Sequence, residues 1–167
     1  MRPMTKDNVK AAMAGESQAH IKYAAFAAVA EKEGKANIAR LFSAISYAEQ
    51  VHATHYLGLL EGVGTTEANL TAAHGGEDFE VENMYPAFQA VATAEDEKKA
   101  NEGFHLAIEA EKIHRPLYKE ALGKVSKGGD LDDTPIYICG YCGHTGRGEA
   151  PDKCPVCKSP KKKFRTF

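Results

Sequence analysis

Glu49-Gln50-Val51-His52 and Glu111-Lys112-Ile113-His114 repeat one spacing, Glu-x-x-His. On a helix, residues i and i+3 stand one turn apart on the same face, so each pair aims a carboxylate and an imidazole at one point. Those groups suit a metal ion: the carboxylate binds one ion or bridges two, and the imidazole binds one. Cys139-Gly140-Tyr141-Cys142 and Cys154-Pro155-Val156-Cys157 form two C-x-x-C knuckles with 11 residues between them. Four thiolates at this spacing make a tetrahedral site for Zn or Fe. Zn there would be structural, whereas Fe would carry single electrons. Gly143 and Pro155 suit the tight turns that aim backbone N–H groups at sulfur. Two disulfides are the bland alternative, disfavoured by adjacent knuckles in a chain with no secretion signal.

Helices must position the first set of donors. The hydrophobic spacing predicts four: A over roughly Lys6–Glu33 with Thr5 as N-cap, B over roughly Ala36–Glu61, C from about Gly76, and D ending near Leu122. Gly34 ends A, Gly62 and Gly64 end B, and a turn is expected at Thr93–Glu97. Pro86 lacks a backbone donor and should kink C, while Gly103 and Pro116 weaken D. A 3-4 spacing of apolar residues predicts a four-helix bundle.

The same series place charge where the core should be. They run 9, 13, 16, 20, 23, 27, 30 in A and 38, 42, 45, 49, 52, 56, 59 in B. In C they run 77, 80, 84, 88, 91, and in D 104, 107, 111, 114, 118, 122. Glu16, Glu49, Glu77, Glu80 and Glu111 therefore fall on core faces, with His20, His52 and His114. A buried unpaired carboxylate costs several kcal/mol, and five facing one another would also repel. Lys and Arg are scarce on these stripes, so bound cations are the natural compensation. Any single Glu of this kind is ordinarily a solvated helix residue; two Glu-x-x-His units with Glu on both other helices are not. His20, His55, His74 and His105 read as core-edge or surface residues, and Tyr23 and Tyr85 as core aromatics or as donors to the carboxylates. In antiparallel pairs, Glu16 is level with His52 and Glu77 with His114. The B-to-C connection, roughly Gly62–Gly76, would span about 45 Å if extended, the length of a bundle.

Composition agrees with two unlike parts. Of 167 residues, 21 are Lys or Arg and 23 Asp or Glu, and 43% are hydrophobic, which is globular and near neutral. That balance argues against a nucleic-acid partner, and no apolar run suits a membrane helix. The N-terminus lacks a signal-peptide pattern, so a cytoplasmic location is expected. Residues 1–122 hold 25 of 26 Ala with net charge −6; residues 123–167 hold all four Cys, 7 of 15 Gly and net charge +4. The division expected is a bundle over 1–123, a linker over 124–134 and a four-cysteine domain over 135–167. Lys161–Lys163 reads as a solvated end, or as a guide for an acidic redox partner.

Together these motifs resemble the rubrerythrins, a family with a ferritin-like di-iron bundle and a C-terminal rubredoxin-like domain. The resemblance spans nearly the whole chain. It rests on Glu16, Glu49-x-x-His52, Gly76-Glu77-Asp78-Phe79-Glu80 with Met84-Tyr85-Pro86, Ala110-Glu111-x-x-His114, and Tyr137-x-Cys139-x-x-Cys142-Gly143 through Cys154-Pro155-x-Cys157. It accounts for Pro86; Pro116 is a departure. The resemblance implies Glu16, Glu49, Glu77, Glu111 and His114 as iron ligands, with Glu49 and Glu111 bridging. Glu80 is the additional carboxylate that exchanges with His52 as the iron changes oxidation state. Tyr23 and Tyr85 match tyrosines beside the site, and Cys139, Cys142, Cys154 and Cys157 would hold a mononuclear iron. The implied activity is reduction of hydrogen peroxide to water by a homodimer. Its electrons would come through a separate donor, a rubredoxin or a pyridine-nucleotide-dependent reductase, because no G-x-G-x-x-G motif is present. The competing readings are a ferritin-type iron oxidase using O2, a bundle carrying a structural Zn ribbon, and a di-manganese catalase.

Overall fold

The computed structural model describes residues Met1–Phe167 as two compact units, Met1–Gly64 and Thr65–Phe167. The first is a helical hairpin of α1 (Pro3–Lys32) and α2 (Ala36–Leu59). Pro3 sits in the first turn of α1, where its missing donor costs nothing. Gly34 takes φ +73°, the left-handed conformation that stops a helix with least strain. Small residues at the contact, Ala27, Ala30, Ala39 and Ser46, are buried and let the two backbones approach closely. Tyr23, Phe26 and Phe42 cluster beside them, the Phe26 and Phe42 rings 5.5 Å apart edge to face. The His20 ring lies 2.9 Å from the Ser46 carbonyl and the Ser46 hydroxyl donates to the His20 carbonyl, so this histidine fastens α1 to α2.

Only part of the expected face of α2 turns inward. Phe42, Glu49 and Tyr56 are half-buried as expected, whereas Ile38, Ile45, His52 and Leu59 are exposed and Ala39, Ser46 and Ala53 join the inward face. Contact with a single neighbouring helix selects the small-residue face, and the rest of the apolar stripe stays uncovered in this unit.

The second unit begins with α3 (Thr66–Phe79), continues through one wide turn (Glu80–Met84) into α4 (Tyr85–Ala94), and returns along α5 (Lys98–Val125). This corrects the expected long connection up to Gly76, because only Leu60–Thr65 separates α2 from α3. The Thr65 hydroxyl caps the amide of Ala68 at 3.2 Å, and Glu67 sits in the first turn. With Ala68, Leu70, Ala72 and Ala73 following, these signals outweigh Gly75 and Gly76. Pro86 does not break the rod. The preceding residues widen to an i→i+5 pattern, with the Tyr85 amide on the Glu80 carbonyl, so the helix absorbs the missing donor. Arg115 clamps this turn to α5 through Asp78 (2.9 Å) and Glu82 (2.6 Å). The turn at Glu95–Glu97 falls where expected, with Asp96 at φ +55°, and α5 runs unbroken past Pro116.

A three-stranded antiparallel sheet ends the chain, in the order β2 (Thr145–Arg147), β1 (Ile136–Cys139), β3 (Phe164–Thr166). Tyr137 faces Gly146 in the register, and a side chain at 146 would collide with the Tyr137 ring. Cys139, Cys142 and Cys154 form the core of this module, with Leu106 of α5, Val156 and Phe164 packed on it. Arg147 ties the module to Glu120 of α5 (3.0 Å) and to Asp132.

Candidate metal centres

Each unit gathers three of the expected donors. In the first, Glu16 of α1 joins Glu49 and His52 of α2: His52 Nδ1 lies 3.0 Å from Glu49 Oε2 and 3.8 Å from Glu16 Oε1. In the second, Glu77 of α3 joins Glu111 and His114 of α5: His114 Nδ1 lies 2.6 Å from Glu111 Oε2 and 3.9 Å from Glu77 Oε1. The two triads have the same make-up and nearly the same dimensions. They differ in exposure: the His52 side chain is 56% exposed and that of His114 26%.

The second triad is crowded with acid. Burial, with the hydrogen bond and charge of Glu111 and the charge of Glu80, pushes Glu77 up to about 8. Glu80, on the wide turn, is raised by burial and by Glu111, which outweigh the lowering influence of His114. Tyr85 is raised by burial and then by the charges of Glu80, Glu111 and Glu77, so its hydroxyl lies within the field of the same carboxylates. The neighbouring cation, Arg115, is engaged by Asp78 and Glu82 instead. Oxygen donors clustered without a counter-charge fit hard cations such as iron or manganese. Tyr23 packs against Phe26 and Phe42 in the first unit and makes no hydrogen bond to a carboxylate.

The thiols converge more tightly. All four Sγ atoms lie within 4.8 Å of one another, and all four cysteines are free. Cys139 and Cys157 are 3.6 Å apart, Cys142 and Cys154 3.5 Å. The edge of a tetrahedron with metal–sulfur bonds of about 2.3 Å is about 3.8 Å, so these sulfurs are close to the spacing a metal requires. Disulfides are excluded at these separations.

Sequence spacing did not point to the partner of His114. Its Nε2 lies 2.8 Å from the hydroxyl of Thr145, a residue 5% exposed on β2 of the four-cysteine module. His144 beside it has a buried Nδ1 with no hydrogen bond, and burial followed by the charge of His114 lowers its pKa. His114 and Thr145 are 31 apart in sequence, and no local pattern connects them.

Comparison with known proteins follows the same division. The family model described as Rubrerythrin matches residues 7–122, and the one described as Rubrerythrin, rubredoxin-like domain matches residues 137–165. Rubrerythrin-2 of Clostridium acetobutylicum is 36% identical over 98% of this chain and 97% of its own. Nigerythrin of Nitratidesulfovibrio vulgaris is 35% identical over 98% and 86%. A solved structure of nigerythrin in its fully reduced, all-ferrous state has a TM-score of 0.57 at 35% identity, covering 98% of this chain and 86% of that one. The fold is thus mainly α, with ferritin-like bundle helices followed by a small rubredoxin-like domain that carries the four cysteines. No helix is long and apolar enough to cross a membrane.

Proposed function

The chain belongs to the rubrerythrin family, and on that premise we propose that it is a cytoplasmic peroxidase. It reduces hydrogen peroxide with two electrons and two protons to two molecules of water. The observation that carries this reading is the acid cluster of the second unit, Glu77, Glu80 and Glu111 with His114 and Tyr85. Iron held there supplies Lewis acidity and electrons. Glu16, Glu49, His52, Glu77, Glu111 and His114 are assigned as the ligands of two irons. Glu80, on the wide turn beside these ligands, is assigned as the carboxyl that passes a proton to a leaving oxygen. Tyr85 keeps its hydroxyl proton and orients an oxygen beside them, and Tyr23 is assigned the matching place in the first unit. The four cysteines would hold one iron, whose chemistry there would be single-electron transfer, with a rubredoxin or a pyridine-nucleotide-dependent reductase as the external donor.

We propose the organisation as a bundle over 1–123, a linker over 124–134 and a four-cysteine domain over 135–167, assembled as a homodimer. Support for a dimer comes from apolar side chains on the expected core stripe that each unit, taken by itself, leaves bare: Ile38 (47% exposed) and Ile45 (40%) in the first, Phe88 (43%) and Val91 (56%) in the second. A second copy would cover them. Sedimentation should give twice the chain mass; a monomer at micromolar concentration would remove that assignment.

The test of function is to reduce the iron-loaded protein anaerobically and follow the visible colour of the thiolate-bound iron. Mixing with one equivalent of peroxide should restore the colour rapidly, and air slowly. Equal or faster recolouring by O2 would replace the peroxidase with an oxidase. Absence of colour in protein loaded with iron would leave the four-cysteine site to Zn and withdraw the relay.

A further inference from the structure

Both ring nitrogens of His114 are engaged: Nδ1 lies 2.6 Å from Glu111 Oε2 and Nε2 lies 2.8 Å from Thr145 Oγ1. The hydroxyl of Thr145 is also 2.9 Å from the carbonyl of Gly143, the residue that follows Cys142. A carbonyl only accepts, so the single hydroxyl proton of Thr145 goes to Gly143. Thr145 can then meet His114 only as an acceptor, so Nε2 carries a proton. Nδ1 is the nitrogen turned to Glu111 at 2.6 Å and to Glu77 at 3.9 Å, and a bound cation would take the place of the proton shared with Glu111. Apolar side chains of Leu117, Tyr118, Ile136 and Ile138 line the cleft beside the pair, so few competing partners are at hand.

We propose that Thr145 is a positioning residue for His114, and that through this one hydrogen bond metal binding in the helices and docking of the four-cysteine module reinforce each other. The proposal rests on the reading of His114 as a metal ligand. A histidine ligand ordinarily donates its second N–H to a fixed acceptor, which sets its tautomer and ring angle. Here that acceptor belongs to a different structural module, on β2, whereas His114 is on α5. A cation on Nδ1 polarises the ring and strengthens the Nε2–H donor, which favours the docked module. By linkage the docked module favours the cation by the same factor.

The full-length protein is prepared with Zn in the four-cysteine site and titrated with Co2+, whose visible bands report on the helical site. Thr145→Val removes the acceptor and keeps the volume; Thr145→Ser keeps the acceptor. Thr145→Val should weaken Co2+ binding about 10–100-fold and Thr145→Ser far less, as loss of such a supporting partner typically does. Co2+ should also slow amide exchange in residues 136–147 of the wild type, but not in Thr145→Val. Co2+ affinity and protection unchanged in Thr145→Val would overturn the proposal, as would a Thr145→Ser defect as large as that of Thr145→Val. His114→Ala separates the two levels. If it binds Co2+ like wild type, the ligand reading fails and the positioning role with it. If it loses binding while Thr145→Val does not, only the positioning role fails.

Discussion

Stripping the metal from the four-cysteine site should unfold the C-terminal module while leaving the helices in place. Cys139 and Cys154 are the most deeply buried side chains of the chain, 1% and 0% exposed, and with Cys142 they are themselves the core of the module. So short a segment does not bury enough apolar surface to stand alone, and a structural metal of this kind contributes about 10–16 kcal/mol at neutral pH. Without the ion the thiols resist ionising together. Burial, aided by hydrogen bonds from the other thiols, pushes Cys142 up to about 12. Burial also opposes ionisation of Cys157, yet its hydrogen bonds to Ser159 and the neighbouring thiols bring it down to about 6. Metal entry must therefore expel protons, and retention should weaken as pH falls. The expected result after chelation, or in Cys154→Ser, is loss of amide dispersion for residues 136–166 with helical ellipticity largely kept. A dispersed spectrum from the metal-free module would show that packing on Leu106 and Phe164 suffices alone.

Replacing Glu77 with Gln should have opposite effects with and without metal. In the metal-free chain Glu77 titrates near 8, against 4.5 when unfolded, because burial and Glu111 disfavour its charge. A carboxyl raised on folding stabilises fully below its unfolded pKa, and that contribution is lost as pH rises from about 4.5 to 8. The metal-free wild type should thus lose on the order of a few kcal/mol across this window. Glu77→Gln cannot ionise and still hydrogen-bonds to Glu111, so its stability should be nearly flat there and exceed that of wild type at pH 8. Added metal should reverse the order, since wild type gains the free energy of binding and the variant lacks a ligand oxygen. Melting curves at pH 5, 7 and 8, with and without metal, read both effects. A metal-free wild type of constant stability across that range would contradict the crowding described for this cluster.

How much of this was legible in the sequence depends on the range of the interaction. Glu49 with His52, and Glu111 with His114, could be paired from spacing because any helix puts i and i+3 on one face. Adding Glu16 and Glu77 required helix pairing, for which Gly34 and Thr93–Glu97 fixed the turning points. The start of α3 lies well before the expected Gly76, because the cap at Thr65 and the helix formers after it carry the helix through Gly75-Gly76. The wide turn that accommodates Pro86 could not be read, since it is a local response to a missing donor and has no residue pattern of its own. The inward face of α2 turned to Ala39 and Ser46 because apolar periodicity marks a wide stripe, and contact geometry selects part of it. Thr145 was invisible for another reason: its importance comes from a contact that only the packing of β2 on α5 creates.

The two Glu-x-x-His motifs, identical on paper, start from different entropies. His114 is held at both ring nitrogens before any ion arrives. His52 is held at Nδ1 alone, with its side chain 56% exposed. Fixing a free side chain costs up to about 1–2 kcal/mol of rotamer entropy, a cost already met at His114 and outstanding at His52. His52 is therefore the looser of the two imidazoles, the one whose ring reorients on the fast timescale of exposed side chains and whose departure from an ion would recover disorder. Carbon-13 relaxation of the two rings would read that difference directly, as a lower order parameter at His52 than at His114.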